Sequence, residues 1–397
     1  MKTIQDVISS EIKGIWGEEL SEGEVGIPVI KTNNLRYDGK IDLTNLTLRK
    51  LSDKDLASRF LIPGDLLVEK SGGTKTHSVG YVAFFDGIEG KYVANNFIMV
   101  LRPNCKLVVA KYLFYQMRYM YETGRFEDCY NKTTGIQNLK AKVYLGKPIC
   151  LPQTEKQTRI AHLLDIIQNG ISLATEQICS LDEQVKSLFN EMFGDPVFDT
   201  QNRGTKPLSD YIVSIKYGTS QPPKFSPKGK YKFIRATNIK NGRIVEKDML
   251  RIDEIEAEKI SKCKLKFGDF IMVRSGAFTG DTCVISNDYE GDYAGYDIIV
   301  TFDQTRLNPV FLNALVNTDY MTKVVKPMTG RAAQPHINSA QVSSLPILNV
   351  SKSEQDKFVN TIEQIDKLRF KYQRQIELLN ELMEKKMEEY FGGDENA

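Results

Sequence analysis

Two kinds of hydrophobic pattern alternate along this chain. Over residues 154 to 193, apolar side chains recur every seven positions in two interleaved series: Leu164, Ile171, Ile178, Val185 and Met192, and Ile167, Ala174, Leu181 and Leu188. Such a stripe is the a/d seam of a coiled coil held for about four heptads, and it predicts one helix roughly 60 Å long at about 1.5 Å per residue. Pro152 is tolerated just ahead of the first turn, and Gly194-Asp195-Pro196 stops the helix. A second stretch, 354 to 391, carries Ile362, Ile365, Tyr372, Ile376, Leu379, Met383 and Tyr390 in the same kind of stripe, with Arg369 and Lys386 placed in the seam. Everywhere else the apolar residues come in short runs broken by Gly, Asn and Asp, such as "LLVEK", "VGYVAFF" and "FIMVLR", then "FIRATNI", "DFIMVR", "TCVIS" and "DIIVTF". These read as strands and turns. Helical stretches intervene at 111 to 124 and 309 to 325.

The order of these elements is written twice. "TIQDVI" (3 to 8) faces "PLSDYI" (207 to 212), "PVIKTNNL" (28 to 35) faces "KFIRATNI" (232 to 239), and "PGDLLVEKSGG" (63 to 73) faces "FGDFIMVRSGA" (267 to 277), each at a shift of 204. Gly80 then faces Gly280 and "FIMV" (97 to 100) faces "DIIV" (297 to 300), at a shift of 200. "KPICLPQTEKQ" (147 to 157) faces "LPILNVSKSEQ" (345 to 355), and "EMFGD" (191 to 195) faces "EYFGG" (389 to 393), at 198. A few short loop deletions account for the drift, so one architecture is used twice. The expected fold is α+β: two similar globular domains separated by two long helices that pair as an antiparallel coiled coil, with a pseudo-two-fold internal repeat. The expected boundaries are 1–150, 151–196, 197–350 and 351–397.

Composition narrows the chemistry mainly by exclusion. The 397 residues carry 53 Lys+Arg against 51 Asp+Glu, so any basic surface must be local. The six cysteines and three histidines are scattered without zinc-ligand spacing, and the cysteines read as reduced, mostly buried thiols. Neither a signal-peptide stretch nor an apolar run long enough for a membrane span is present, so the expected location is cytoplasmic, with no membrane partner. Asp65…Glu69-Lys70 suggests the opening of a D…E-x-K nuclease site, which needs two carboxylates on a metal and a lysine beside the attacking water. However, Glu69 and Lys70 are neighbours on a strand and point to opposite faces, and the second copy has Val273 where the first has Glu69. "SGGTKT" (71 to 76) lacks the P-loop register, and no [N/D]-P-P-[Y/F] tetrad or Ser/His/Asp grouping is present. No catalytic constellation emerges, and a non-enzyme is expected.

What the two halves share is a Gly-Asp turn, a strand, and then a basic residue, Ser and Gly: Lys70, Ser71 and Gly72, and Arg274, Ser275 and Gly276. A cation, a hydroxyl and an open backbone N–H at a loop suit phosphate or base contacts. Lys31, Asn33 and Asn34, with Arg235, Thr237 and Asn238, add Asn and Arg at another strand–loop junction, where a simple turn role competes with a reading role. The most divergent loops add Lys75 and His77, then Lys132, Thr133 and Gln137 opposite Arg331, Gln334 and His336, together with Lys224 and Lys228 in a lysine-rich segment that faces an acidic one.

Taken together, "LPQTEKQTRIAHLLD…QICSLDEQVKSLFNEMFGDP" (151 to 196), its echo "SKSEQDKFV…RQIELLNELMEKKMEEYFGGD" (351 to 394), "PGDLLVEKSG" and "VIKTNNL" give a chain that resembles, over nearly its full length, the specificity (S) subunit of a type I restriction–modification system. One departure is "LPILNVSKSEQ", where that family usually has a Pro-rich helix start. The resemblance implies two target-recognition domains (1–150 and 197–350), each reading one half of a split double-stranded DNA target. It also implies a central and a distal conserved helical region (151–196 and 351–397) whose coiled coil sets the spacer and docks two modification (methyltransferase) subunits. Restriction (nuclease/translocase) subunits complete such an assembly. S-adenosylmethionine, ATP and Mg belong, by the same resemblance, to the partner subunits and not to this chain. An S-like recognition subunit of another methylation or phage-defence complex, or a protein-interaction scaffold without DNA contact, are the alternatives.

Overall fold

The computed structural model describes residues 2–74, 77–131, 136–330 and 334–393. The chain divides into two compact units, one formed by Met1–Ala174 with Arg374–Ala397 and the other by Thr175–Gln373. In the first unit, strands β1 (Ile8–Lys13), β2 (Ile27–Ile30), β3 (Thr47–Arg49), β4 (Leu66–Glu69), β5 (Val82–Phe84), β6 (Val93–Ala94) and β7 (Ile98–Pro103) are followed by helix α1 (Ala110–Glu122) and the start of the long helix α2 (Thr154–Phe193). The second unit repeats the series with β8 (Ile212–Tyr217), β9 (Tyr231–Ile234), β10 (Leu250–Ile252), β11 (Phe270–Met272), β12 (Thr282–Val284), β13 (Tyr293–Ala294), β14 (Ile298–Phe302), α3 (Pro309–Val316) and the start of α4 (Lys352–Phe391).

The two larger sheets match strand for strand. An antiparallel four-stranded sheet runs β1-β7-β4-β5 in one unit and β8-β14-β11-β12 in the other. A three-stranded sheet runs β3-β2-β6 and β10-β9-β13, its last pair parallel in both. Even the register irregularity recurs, between Ile8 and Ser10 and between Ile212 and Ser214. The strand runs are continuously apolar because both faces of the four-stranded sheet are covered. Leu66, Val68, Met99 and Leu101 pack toward α1, while Leu67, Ala83, Ile98 and Val100 pack toward the three-stranded sheet. Phe270, Met272, Ile298 and Val300, against Ile271, Cys283 and Ile299, repeat the division. Gly80 and Gly280 both sit at φ +95°, a conformation open to glycine, which explains why both copies keep it.

Within the second unit the long helices run antiparallel: Asp182 meets Arg369 at 2.7 Å, and Phe193 packs on Phe358 with ring centroids 5.3 Å apart. In the first unit Gly170 lies against Leu379, and Leu164, Ile167, Met383, Met387 and Phe391 share one core with α1. Leu164, Ile167, Ala174, Leu181 and Met383 are buried; Ile171, Ile178, Val185, Leu188, Ile365, Tyr372, Ile376 and Leu379 are half-buried. Further buried helix side chains lie outside the heptad reading. They are Ile160, Phe189, Phe193, Phe358, Val359, Met387 and Phe391, which enter the domain cores as well as facing a helix. Arg369 does occupy the seam, buried and charge-paired, whereas Lys386 is half-buried and leans on Glu389.

Two other expectations need correction. The stretch 309 to 325 is not one helix: α3 ends at Val316, and Asn317 and Thr318 turn their side chains back onto the carbonyls of Asn313 and Leu315 before a π-helical turn at Met321–Val325. All six cysteines are free, but Cys105, Cys150 and Cys179 are exposed, leaving Cys129, Cys263 and Cys283 as the buried ones.

Candidate nucleic-acid interface

Asp65, the residue that hinted at a nuclease, is fully buried. Its carboxylate accepts both Nε and Nη2 of Arg102 at 2.8 Å and the Ile62 N–H at 2.9 Å. Asp269 does the same work differently, accepting the Lys266 N–H at 2.9 Å and the Thr301 hydroxyl at 2.6 Å. Both carboxylates pin the turn that launches β4 or β11. Glu69 accepts the Gly73 N–H at 3.0 Å, and burial raises its carboxyl above the ordinary range. Among the described residues no cluster of three or more His, Cys, Asp or Glu could hold a metal ion.

The strand that follows the turn carries the shared basic-Ser-Gly element to one edge of each domain. There it pairs with the divergent loop far ahead in sequence. Ser71 and Gly72 pair antiparallel with Asn138 and Gln137, the Ser71 hydroxyl donates to Asn138 Oδ1 at 2.7 Å, and Lys70 O accepts the Leu139 N–H. In the second unit Ser275 bridges to His336, and Arg274 O accepts the Ile337 N–H at 2.9 Å. Lys70, Ser71, Gly72 and Gln137 are thus brought together, and so are Arg274, Ser275, Gln334 and His336. The pairing of two loops 60 or more positions apart was not legible from spacing alone.

Around this shared junction the side chains differ. In the first unit His77 stacks on Tyr37 at 3.9 Å, Tyr37 meets Tyr81 edge-on at 5.2 Å, and Tyr81 meets Tyr121 at 5.3 Å. In the second, the Arg274 guanidinium carbon lies 4.6 Å from the Tyr217 ring centroid and 4.4 Å from that of Tyr296. Tyr217 is fixed in turn by Ser339: its hydroxyl oxygen accepts the Ser339 N–H at 2.9 Å and lies 3.0 Å from Ser339 Oγ, and hydrogen bonding from Ser339 to the phenol oxygen lowers its pKa. The buried Asp297 carboxylate accepts the Arg274 N–H at 3.1 Å, and burial pushes its pKa up to about 6. Tyr37, Tyr217, Phe97 and Tyr296 are exposed aromatics that the sequence reading passed over; their nearness to a basic strand end in the duplicated alignment is the signal that could have found them.

Other candidates fall elsewhere. Asn34 and Asn238 are buried: their side-chain oxygens accept the N–H of Lys31 and Arg235, and their amides donate to loop carbonyls. They are buried turn builders with both ends of the side-chain amide engaged. Asn33 and Thr237 stay exposed on the same turns, while Lys31 is half-buried and Arg235 donates to Asp248 O at 2.6 Å. Lys224 and Lys228 are exposed but precede β9, at the end of that strand opposite Arg235. They do not join the Arg274 junction. Lys75, Lys132, Thr133 and Arg331 lie outside the described residues.

A duplicated α+β domain, each copy ending a buried strand in a polar, aromatic-flanked loop junction and each unit closed by paired helices, defines a class of two-site recognition scaffold. The family follows from the comparisons. The chain belongs to the family of the type I restriction modification DNA specificity domain, whose model matches residues 1–182 and again residues 207–381. It is similar to the type I restriction enzyme MjaVIII specificity subunit of Methanocaldococcus jannaschii, 23% identical over 293 residues, covering 70% of this chain and 68% of that one. It is also similar to a protein of the same organism named for the MjaX specificity subunit, 24% identical over 200 residues; that match takes in 50% of this chain and 46%, just under half, of the relative's length. Among solved structures, the S subunit of a type I restriction–modification system from M. genitalium shares the fold, with a TM-score of 0.58 at 14% identity over 97% of this chain and 94% of that one.

Proposed function

We propose that this chain is the sequence-reading subunit of a type I restriction–modification assembly. Each globular domain takes one half of a bipartite double-stranded DNA target through the junction described above. The observation that carries this reading is the recurrence of one loop pairing, Ser71 with Asn138 and Ser275 with His336, at the same edge of the same fold but with different side chains around it. A constant scaffold with altered contacts is what reading two different half-sites requires. Lys31, Asn33, Lys70, Ser71, Gly72, His77 and Gln137 are the contacts proposed for one half-site. Arg235, Thr237, Arg274, Ser275, Gln334 and His336 are those proposed for the other.

The helices are proposed to dock two modification subunits and to fix the spacing between half-sites. Exposed Ile166, Leu173, Leu378 and Leu382 in the first unit, and Leu368 and Phe370 in the second, supply apolar surface for that contact. S-adenosylmethionine, ATP and Mg are assigned to the modification and restriction subunits, and this chain to recognition without chemistry. No helix among the described residues is long and apolar enough to cross a membrane.

The test is binding of the full chain, alone and with its modification subunits, to mixed-sequence duplex DNA across 50 to 200 mM salt. Affinity should fall with a log–log slope of several units as phosphate contacts release counterions. A flat salt response, or methyl transfer by the chain alone, overturns the reading.

A further inference from the structure

Arg274 differs from the other described arginines of its unit. Arg203, Arg235, Arg243, Arg251, Arg306 and Arg369 each donate to an oxygen of the protein. Arg274 has both its backbone groups engaged, N–H to Asp297 and C=O from Ile337, yet its guanidinium finds no acceptor among the described residues. It is nevertheless held in place. Tyr217 and Tyr296 both lie within cation–π distance, Tyr217 is anchored by two hydrogen bonds to Ser339, and Asp297 ties the backbones together by accepting Gly218 N–H as well. A guanidinium oriented by aromatic rings with its donors left open is preorganised for a planar acceptor pair, and ring contact reduces the rotamer freedom lost on binding. Among the base edges of duplex DNA, the acceptor pair that matches this fork is O6 and N7 of guanine in the major groove.

The position 204 residues earlier is Lys70, a compact point charge. The residues around it are different too: Lys13 stands in the place of Tyr217, while the strand register, which pairs Lys13 with Met99 and Tyr217 with Ile298, sets Phe97 in the place of Tyr296, so the first unit offers one ring where the second has a pair. Lys suits a phosphate and needs no fixed plane.

We propose that Arg274 reads a guanine in the half-site of the second domain, with Tyr217 and Tyr296 as its positioning residues, and that Lys70 makes only a phosphate contact at the equivalent place. This deepens the DNA-reading proposal and rests on it.

Selection of the full chain against a random duplex library tests it, with sequence logos and salt slopes compared for wild type, Arg274→Ala, Tyr296→Ala, Tyr296→Phe and Lys70→Ala. Arg274→Ala should relax one G·C position of one half-site, erasing a preference on the order of ten- to hundredfold, while the other half-site stays unchanged. Tyr296→Ala should relax the same position, and Tyr296→Phe, which keeps the ring, should restore it. Lys70→Ala should leave the logo intact and lower the salt slope by about one. An Arg274→Ala logo identical to wild type, with only uniform weakening, overturns the inference and leaves the DNA reading standing. A wild-type chain that yields no bipartite logo overturns both. Circular dichroism and melting of each variant separate misfolding from lost contacts, and an Arg274→Ala chain that fails to fold transfers the decision to the Tyr296 pair.

Discussion

The two units build one turn with two different chemistries. Ahead of β4 the turn is closed by a buried ion pair, Asp65 with Arg102. Ahead of β11 the same aspartate position, Asp269, is satisfied by a hydroxyl and a backbone N–H. The backbone reaches the same place either way, and the strand that leaves it ends in the same loop pairing. Where the chain meets solvent at that pairing the copies part: a tyrosine–histidine stack near Glu69 in the first unit, a tyrosine pair around Arg274 in the second. Buried positions tolerate different solutions to one geometric demand, while exposed ones diverge toward different partners.

The largest effect expected is at that turn. Asp65→Asn leaves Arg102 without its bidentate carboxylate, and with the aspartate side fully buried the loss should be about 3–4 kcal/mol. Asp269→Asn removes only one charge from a neutral hydrogen-bond set and should cost about 1–2 kcal/mol. The single tryptophan, Trp16, lies in the first unit under the Arg49 guanidinium, so its fluorescence reports that unit, whereas circular dichroism reports both. Asp65→Asn should move the Trp16 transition and Asp269→Asn should not. Equal losses from the two substitutions would show that the difference in partner chemistry has no energetic weight.

Next comes the helix seam. In the second unit Asp182 receives Arg369 at 2.7 Å and Arg243 at 2.9 Å, and Arg369 also contacts Asp366. The position 198 residues before Arg369 is Ile171, so the first unit has an apolar seam at that level. Asp182→Ala leaves two arginines facing each other and should cost about 2–3 kcal/mol, below the figure for a fully dry pair because Asp182 keeps some water. Arg369→Met leaves Asp182 its second arginine and converts the seam toward the first unit's type; it should be neutral within about 1 kcal/mol. Both belong to the dichroism signal, with the Trp16 transition unmoved.

A pH difference between the units follows from Asp297, whose counterpart in the strand register is the apolar Ile98. Burial raises the Asp297 carboxyl from 3.8 to about 6 in the folded chain. The folded state therefore holds this proton more tightly than the unfolded one, so the linked stability is fully present below about pH 4 and is lost as pH rises through about 6. Asp297→Asn removes the cost of the buried charge while its amide oxygen still accepts from Arg274. The variant should exceed wild type by roughly 2–3 kcal/mol at pH 7 and match it near pH 4. Urea unfolding followed by dichroism at the two pH values checks the sign, and a wild-type advantage at pH 7 would contradict it.

These contrasts also mark how far the chain could be read in advance. The repeat and the strand order were legible because both depend on local pattern: continuous apolar runs such as Leu66–Val68 and Ile298–Val300, cut by glycines that must adopt positive φ. The span of α2 was legible because a seven-residue stripe has few other meanings. The aromatic contacts of the long helices were not, since Phe189, Phe193, Phe358 and Phe391 are set by domain packing that no heptad encodes. The candidate site divides the same way. Lys70 and Arg274 could be picked out as basic residues at strand ends, but Asn34 and Asn238 looked identical to base readers and proved to be buried turn caps. Composition gives the donor; only the fold tells whether the donor is already spent.

The smallest contrast is expected where the units should not differ. Gln157 and Gln355, which open the two long helices in the "EKQ" and "SEQ" strings, are both buried and do the same work. The side-chain oxygen of Gln157 accepts the Val109 N–H at 2.8 Å and its amide donates to Pro152 O. Gln355 accepts the Asn308 N–H at 2.8 Å and donates to Val350 O. Each therefore staples the first turn of a long helix to the start of the domain helix, α1 or α3, without any ligand in view. Replacement by Ala orphans one backbone N–H in each unit, with one carbonyl in the first and two, Val350 O and Arg306 O, in the second, so both should cost about 1–2 kcal/mol. Gln157→Ala should appear in the Trp16 transition and Gln355→Ala only in the dichroism. If the costs agree while DNA affinity per folded molecule stays at the wild-type value in both variants, the string is a folding signal, and sequence reading belongs to the junctions around Lys70 and Arg274. Loss of affinity without loss of stability would instead move the helix starts into the interface.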